Sequence, residues 1–363
     1  MLQRLPAAGA RVAFLASAYL LVGVTSAAAT PLAGKRGPEP LRVAAVYPRP
    51  SVRISGAADF TVRFSAALAG RQRLLPRLVP ALAGRWRQSG PRTLTFTAAG
   101  AFMPGEAVSL TVPRGIRGAG GRVLARAVHA SYDVRQPSPV RLLQLLASLG
   151  YLPVHLVSPH NPRPGDRLGQ MRALYSPPPG RLVFGRGWPA PLRELWASQR
   201  AVVVRGALMD FQSQRGLPMT GAVSAALWGE LLSAVAHREF NRAGYTYAIA
   251  SEASPETLTV YHNGAIVVRT LANTGIPVSP TALGTFPIYE RLRSQVMRGL
   301  NPNGVPYADY VQWVSYFNGG DAVHYMPRAS YGYPQSLGCV ELPYAAAQRA
   351  WGYFTYGSLV TVT

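Results

Sequence analysis

The chain has 363 residues, of which 48% are hydrophobic, enough for two or three domains with cores of their own. Its 37 basic and 15 acidic side chains leave a net charge of +22, and Lys35 is the single lysine. Leu32 lies three positions before it, which excludes the Ser-x-x-Lys pair of serine penicillin-binding enzymes. Cys339 is the single cysteine, so an intrachain disulfide framework and a cysteine-rich zinc site are also excluded.

Residues 1–29 have the composition of an export signal. Arg4 and Arg11 precede an apolar run and a small-residue stretch that ends near Ala29. Residues 12–29 are also just long enough for an uncleaved membrane anchor. Both interpretations predict an exported protein of the cell envelope, in the periplasm or the cell wall. Residues 30–48, rich in proline and glycine, are predicted to be a linker.

Residues 49–135 show short strands of alternating polarity, separated by glycine and proline. The clearest candidates are 60–64, 92–96 and 107–112. This spacing predicts a β-sandwich. Through Gly84-Arg85-Trp86 and Phe102-Met103-Pro104-Gly105, the segment resembles the bacterial Ig-like modules of cell-surface proteins, and the resemblance implies a spacer without a ligand.

Residues 138–240 are predicted to be helical. The first helix covers 140–152, with an apolar face that includes Val140, Leu143, Leu146 and Leu149, and two more cover 206–214 and 224–236. With Phe211-Gln212, Thr220-Gly221 and Leu227-Trp228, the segment resembles the small three-helix peptidoglycan-binding domain. A proline-rich insert at 153–200 separates its first two helices.

Residues 246–363 are predicted to be mostly antiparallel β structure with one late helix, 343–354. Asn263-Gly264 between two apolar runs is a strong hairpin signal. Six acidic and six basic residues cancel in this segment, so the whole net charge lies before residue 246. The basic front half, residues 1–245, is therefore predicted to attach to an anionic wall polymer or a lipid surface. Nucleic acid is a poor candidate partner, because the chain is predicted to be exported and shows no aromatic-basic recognition motif.

Cys339 and His324 are the candidate catalytic residues, 15 positions apart in this segment. Thiol chemistry needs a thiolate, and an imidazole can take the thiol proton. Gly338 permits close backbone approach, and N–H groups there could hold an oxyanion. The histidine precedes the cysteine, which excludes papain-like enzymes. The remaining histidines have no metal-ligand spacing, so neither a metal nor another cofactor is predicted.

This pattern resembles the L,D-transpeptidase catalytic domain, or YkuD domain, whose motif is a histidine followed at a short interval by Ser/Thr-His-Gly-Cys. The resemblance covers residues 246–363 and includes Asn273-Thr-Gly275, Thr281-x-x-Gly284-Thr-Phe286 and Tyr356-Gly-x-x-Val360. It implies that Cys339 is the nucleophile and His324 the base, with Ser336 and Gly338 in matching positions. Leu337 replaces the usual second histidine, and Glu341 stands where an arginine commonly follows.

Around this pair, Tyr325, Ser336 and Gly338 are expected to support the base or the oxyanion. Tyr331, Gly332 and Glu341 are candidates for substrate binding. The fold class that follows is a mainly β, multidomain protein: an N-terminal Ig-like β-sandwich, a small three-helix domain and a C-terminal β-rich L,D-transpeptidase catalytic domain.

The resemblance implies a peptidoglycan L,D-transpeptidase that forms 3→3 cross-links through a cysteine thioester on stem peptides. One alternative is an L,D-carboxypeptidase, in which water resolves the thioester. Another, motivated by Leu337 and Glu341, is a cell-wall-binding protein whose catalytic domain has lapsed.

Overall fold

The computed structural model describes residues 39–363 as a mainly β structure with six α-helices in that range. The predicted signal or anchor, residues 1–29, lies outside the described residues. Within 39–363, no helix combines the length and apolar character that crossing a bilayer requires.

The first part of the described chain is a β-sandwich. One sheet has the order β1-β3-β6-β5 and the other the order β2-β8-β7-β4. Their inward side chains, such as Phe60, Phe96 and Tyr132, pack edge to face in the core. The strands are β1 Val43–Tyr47, β2 Arg53–Ile54, β3 Phe60–Phe64, β4 Arg77–Val79, β5 Gly84–Gly90, β6 Thr93–Ala98, β7 Ala107–Val112 and β8 Val128–Val134.

The sandwich begins before residue 49, which corrects the predicted linker at 30–48. Strand β1 lies inside that segment and pairs antiparallel with β3, and its Val46 is buried. The proline and glycine content of the segment is concentrated before residue 41, whereas residues 43–47 are β-branched, aromatic or small apolar side chains that suit an edge strand.

A helical region follows the sandwich. All three predicted helices are present, and the insert adds two further helices and a two-stranded antiparallel sheet. The elements are α1 Pro139–Ser148, β9 Val154–Val157, α2 Arg167–Tyr175, β10 Arg181–Phe184, α3 Ala190–Ser198, α4 Arg200–Gln214 and α5 Ala225–His237.

The buried face of α1 differs from the predicted one. Leu142, Leu145, Leu146 and Leu149 are buried, whereas Val140 is exposed in the first turn. Both sets follow helical spacing, and the leucine-rich set buries more apolar surface.

The insert is part of the helical core because the buried Arg141 of α1 holds it. The Arg141 guanidinium donates to Asn161 Oδ1 at 2.8 Å and to Gln170 Oε1 at 2.6 Å, both within the insert. Burial lowers the pKa of Arg141 to about 10, so the group stays charged at neutral pH and needs these acceptors.

The C-terminal part has two sheets, ordered β13-β12-β11-β19-β14 and β15-β16-β17-β18. Apolar residues of both sheets and of α6 form its core. Asn263 and Gly264 both have positive φ at the β12–β13 turn, which confirms the predicted hairpin. The elements are β11 Thr246–Ser251, β12 Thr257–His262, β13 Ala265–Leu271, β14 Gly284–Pro287, β15 Glu290–Leu300, β16 Pro306–Asn318, β17 Asp321–Tyr325, β18 Val340–Leu342, α6 Tyr344–Tyr353 and β19 Leu359–Val362.

Candidate active site

Two adjacent strands bring Cys339 and His324 to the same cavity. Strands β17 and β18 pair in parallel, with His324 opposite Glu341, and Cys339 lies immediately before β18. Both side chains line a cavity of about 600 Å³. The predicted nucleophile and base therefore share one solvent-accessible space.

The ring of His324 has a defined tautomer. Its Nδ1 lies 3.0 Å from the carbonyl oxygen of Tyr325, and a carbonyl oxygen only accepts hydrogen bonds. The proton is therefore on Nδ1 and the lone pair on Nε2. The side chain is buried, and burial lowers the pKa of His324 below its ordinary value, so the imidazole is neutral at pH 7 and can accept a proton at Nε2.

The thiol of Cys339 is protonated at neutral pH. Burial raises its pKa to about 12, and the nearby carboxylates of Asp321 and Glu341 act in the same direction. Its Sγ donates a weak hydrogen bond to the carbonyl oxygen of Gly320 at 3.7 Å. A nucleophilic thiolate must therefore form during the reaction, by transfer of the thiol proton to a base.

The loop before Cys339 is fixed by Ser336. The Ser336 hydroxyl donates to the carbonyl oxygen of Cys339 at 2.6 Å and accepts the N–H of Gly338 at 3.1 Å. These bonds agree with a supporting role for Ser336. They correct the oxyanion role predicted for Gly338, because its N–H is already engaged within the loop.

Gly338 has a steric function instead. Its φ is +118°, where side chains are strained, and a Cβ at this position would lie 2.5 Å from Asp321 Oδ1. Asp321 is itself held in place, since its Oδ2 accepts the N–H of Ala282 at 3.2 Å. A glycine lets the cysteine loop lie directly against the start of β17.

The Asn273-Thr-Gly275 segment supports the cysteine loop from the other side. Thr274 O accepts the Ser336 N–H at 3.0 Å, and Ser336 O accepts the Ile276 N–H at 2.9 Å. Thr274 is in turn held by the buried carboxylate of Glu256, which accepts its N–H at 2.6 Å and its hydroxyl at 2.9 Å. This motif positions the catalytic loop and does not line the cavity.

Three predicted site residues lie away from the cavity lining. Tyr325 packs edge to face on Tyr344 with ring centroids 5.1 Å apart, so only its backbone carbonyl serves the site. The Tyr331 hydroxyl donates to Met326 O at 2.6 Å. The Gly332 N–H donates to Ala272 O and to the side-chain Oδ1 of Asn273, both at 3.0 Å. These contacts make all three structural in this geometry.

Glu341 lines the cavity, and it forms an ion pair with Arg328. Arg328 donates from Nε to Glu341 Oε2 at 2.7 Å and from Nη2 to Glu341 Oε1 at 2.6 Å, a bidentate pair. Nη2 also reaches Gln335 O at 3.4 Å. Sequence reasoning noted Glu341 in place of an arginine and missed Arg328, although a buried carboxylate requires such a partner.

The long β15–β16 hairpin forms another wall of the cavity. The sequence analysis predicted β structure in this part of the chain without this hairpin, and so missed this wall. Leu337 lines the cavity too, so an apolar side chain occupies the surface where the resemblance expects a histidine. The hairpin contributes Gln295, Met297, Arg298, Asn301, Pro302, Tyr307, Asp309, Val311 and Tyr316.

Comparison with known families identifies this part of the chain. Residues 245–362 match the family model of the L,D-transpeptidase catalytic domain, YkuD. The C-terminal part is a YkuD-type L,D-transpeptidase catalytic domain. This confirms the predicted domain, whereas the upstream peptidoglycan-binding domain stays a prediction. No curated protein sequence matches the chain.

Several solved L,D-transpeptidases are similar to the chain. One from Mycobacterium smegmatis is 17% identical, covering 89% of this chain and 99% of that chain, with a TM-score of 0.30. One from Mycobacterium tuberculosis H37Rv is 14% identical over 88% and 97%, with a TM-score of 0.29. The catalytic domain of an E. faecium L,D-transpeptidase is 23% identical over 32% and 96%, with a TM-score of 0.30. The domain assignment rests on the family model.

We expect the Arg328–Glu341 pair to be coupled in stability. Arg328→Met leaves a buried carboxylate unpaired and should lower the free energy of unfolding of the L,D-transpeptidase domain by about 3 kcal/mol. The double variant Arg328→Met/Glu341→Met removes both charges and should recover most of that loss. Urea unfolding of Arg328→Met, Glu341→Met and the double variant measures this coupling. A loss in the double variant equal to the sum of the two single losses would show that the two side chains act independently.

Proposed function

We propose that the protein is a peptidoglycan L,D-transpeptidase that forms 3→3 cross-links through a thioester on Cys339. The supporting observation is the neutral pair at the cavity: a protonated thiol and a buried imidazole with its lone pair on Nε2 line the same cavity. A nucleophile and a base in these protonation states suit acyl transfer by general-base catalysis.

In the first step, Sγ of Cys339 attacks the carbonyl carbon of the third residue of a tetrapeptide stem. The thiol proton passes to Nε2 of His324, and the Nδ1–H bond to Tyr325 O holds the ring as it becomes charged. The imidazolium then gives this proton to the departing amine of the terminal D-alanine. The C–N bond breaks, and the stem remains as a thioester.

In the second step, an amine of a neighbouring stem attacks the thioester carbonyl. Nε2 of His324 takes the proton from the amine, the C–S bond breaks, and the thiol is restored by that proton. The thioester retains the energy of the cleaved peptide bond, so the reaction needs neither ATP nor a metal ion.

Hydrolysis is the alternative outcome at the same thioester. Water in place of the amine would give an L,D-carboxypeptidase with an identical first step. A lapsed wall-binding protein is the other alternative, and Leu337 in the cavity wall is the observation that favours it.

Product analysis separates these three activities. We expect the full chain, incubated with a disaccharide-tetrapeptide, to release D-alanine and give a cross-linked dimer, and mass spectrometry measures both. Cys339→Ala should abolish both products, since no other thiol is present. Tripeptide without dimer would indicate a carboxypeptidase. Failure of wild type to release D-alanine or to retain an acylating β-lactam on Cys339 would indicate a lapsed site.

The dependence of acylation on pH tests the role of His324. The lowered pKa of His324 keeps it neutral at pH 7, so the wild-type rate should be level above neutrality and fall only when the ring is protonated, at a pH below the ordinary histidine pKa of about 6.5. His324→Asn should be slower by about 10²–10⁴-fold at pH 7. Its rate should rise about tenfold per pH unit, because the thiolate fraction grows until the thiol pKa of about 12.

His262→Asn is the matched control, since His262 belongs to the same domain and is not among the residues lining the cavity. It should keep the wild-type pH profile. Profiles of wild type and His324→Asn that superimpose would mean that another group activates Cys339.

We propose further that the protein is exported to the cell envelope. Its basic front half, residues 1–245, holds it there, and residues 138–240 bind peptidoglycan. Residues 49–135 contain 14 arginines and three acidic residues. Arg63, Arg85 and Arg87 lie on the outer face of one sandwich sheet, where the strand between them presents Thr95 and Thr97. A cationic face of this kind suits an anionic wall polymer or lipid surface.

Replacing these three arginines by glutamine should weaken retention on isolated cell walls or anionic vesicles by about 1 kcal/mol for each arginine. The effect should shrink at high salt, because exposed charges are screened over about 10 Å at 0.1 M. Lysine at the same positions keeps the charge and serves as the control. Equal retention of the glutamine and lysine variants in cosedimentation would contradict an electrostatic attachment.

A further inference from the structure

A second cavity lies where the insert meets the catalytic domain. Its volume is about 440 Å³, within the range of about 300–1,000 Å³ typical of small-ligand clefts. The insert supplies His155, Gly185, Arg186 and Trp188, and the segment leading into the catalytic domain supplies Arg242. None of these residues takes part in the chemistry at Cys339.

The lining of this cavity is cationic. It contains Arg186, Arg242 and His155 and no aspartate or glutamate. Both arginines are exposed, and neither forms an ion pair with an acidic side chain in residues 39–363. Arginines without an acidic partner around a cleft attract anions and can bind a carboxylate or phosphate through paired N–H groups.

Ring nitrogens converge on the space beside Gly185. A Cβ at this glycine would lie 3.3 Å from His155 Nε2 and 3.5 Å from Trp188 Nε1. The missing side chain thus leaves room against an indole N–H, which only donates hydrogen bonds. Trp188 is held in position by edge-to-face packing on Tyr245, with ring centroids 5.5 Å apart.

At the rim of the cavity, two backbone segments pack directly against each other. A Cβ at Gly187 would lie 2.2 Å from Gly264 O, and a Cβ at Gly264 would lie 2.2 Å from Arg186 O. The segment after β10 therefore lies against the β12–β13 turn with no side chain between them. A cavity with such a rim is largely formed before a ligand binds, which lowers the entropic cost of binding.

We propose that this cavity binds a carboxylate-bearing saccharide fragment of the cell wall, an inference that rests on the proposed peptidoglycan function. The cations match the carboxylate, the ring nitrogens donate to it or to sugar hydroxyls, and Trp188 provides an aromatic wall. A site for simple phosphate would not need that wall. The insert then contributes a wall-binding site to the helical region, and this site is separate from the catalytic cavity.

Binding is tested in the full chain carrying Cys339→Ala. The probe is a disaccharide-dipeptide, which lacks the stem residue that the catalytic cysteine would attack, compared with the same fragment amidated at its carboxyl groups. Calorimetry should show binding of the free acid and about tenfold or greater weakening on amidation. Arg186→Met/Arg242→Met should weaken binding of the free acid by about 10–100-fold, because hydrogen bonds to charged groups are lost.

Arg181→Met is the matched control, since Arg181 is exposed on β10 and is not among the residues lining this cavity. A second pair of variants tests the space itself. Gly185→Leu should abolish binding by filling the cavity, and the φ of Gly185 lies outside the left-handed region, so no backbone strain is added. Gly165→Leu, in the same insert with open space around its Cα, should bind normally.

Several outcomes would overturn the proposal. These are equal binding by Gly185→Leu and Gly165→Leu, equal binding of free and amidated fragments, or arginine-dependent binding of a glycerol phosphate oligomer in place of the saccharide. Thermal unfolding of each variant checks that it is folded. Gly185→Leu is also prepared in a chain that retains Cys339. Acylation of Cys339 in this variant should have the wild-type rate. Loss of binding at this cavity is therefore distinguishable from failure of the proposed transpeptidation.

Discussion

Strands β17 and β18 pair in parallel with His324 opposite Glu341, and the chemistry of the main cavity depends on this register. Successive side chains of a strand face opposite sides of the sheet, so a shift by one residue would turn His324 away and bring Tyr325 to the cavity. The hydrogen bonds of Ser336 and the absent side chain of Gly338 then hold Cys339 at the start of β18. Register and loop together define the site.

Burial gives the two reacting groups their protonation states. Removal from water disfavours charge, so it raises the pKa of the Cys339 thiol and lowers that of the His324 imidazole. Both shifts favour the neutral pair over a thiolate–imidazolium pair in the resting protein. In the proposed mechanism, the thiol is thereby unreactive toward solvent, and proton transfer is coupled to attack on a bound carbonyl.

Much of the fold, and the placement of Cys339 and His324 at one cavity, could be predicted because they depend on local or strongly restricted signals. Asn263-Gly264 needs positive φ at both residues, and Cys339 with His324 follows from the chemistry of a thiol. The β1 strand and the structure of the insert were harder to predict, because nearby proline and glycine residues obscure the sequence pattern of short strands. The contact of Arg328 with Glu341 depends on the fold, and no local pattern encodes it. The β15–β16 hairpin has a local signal, Asn303-Gly304 at its turn, which the sequence analysis did not use.

Glu341 shows why single positions are a poor guide to whether this site is intact. Taken alone, an acidic residue where an arginine commonly stands would place an uncompensated charge in a buried position. The bidentate contact of Arg328 supplies the guanidinium from the loop after β17, so a positive and a negative charge still meet beside His324. Stability alone would preserve this pair in an inactive site, because loss of either partner leaves a buried charge unpaired. With Arg328 as its partner, Glu341 therefore gives no support to the lapsed alternative, which rests on Leu337 alone.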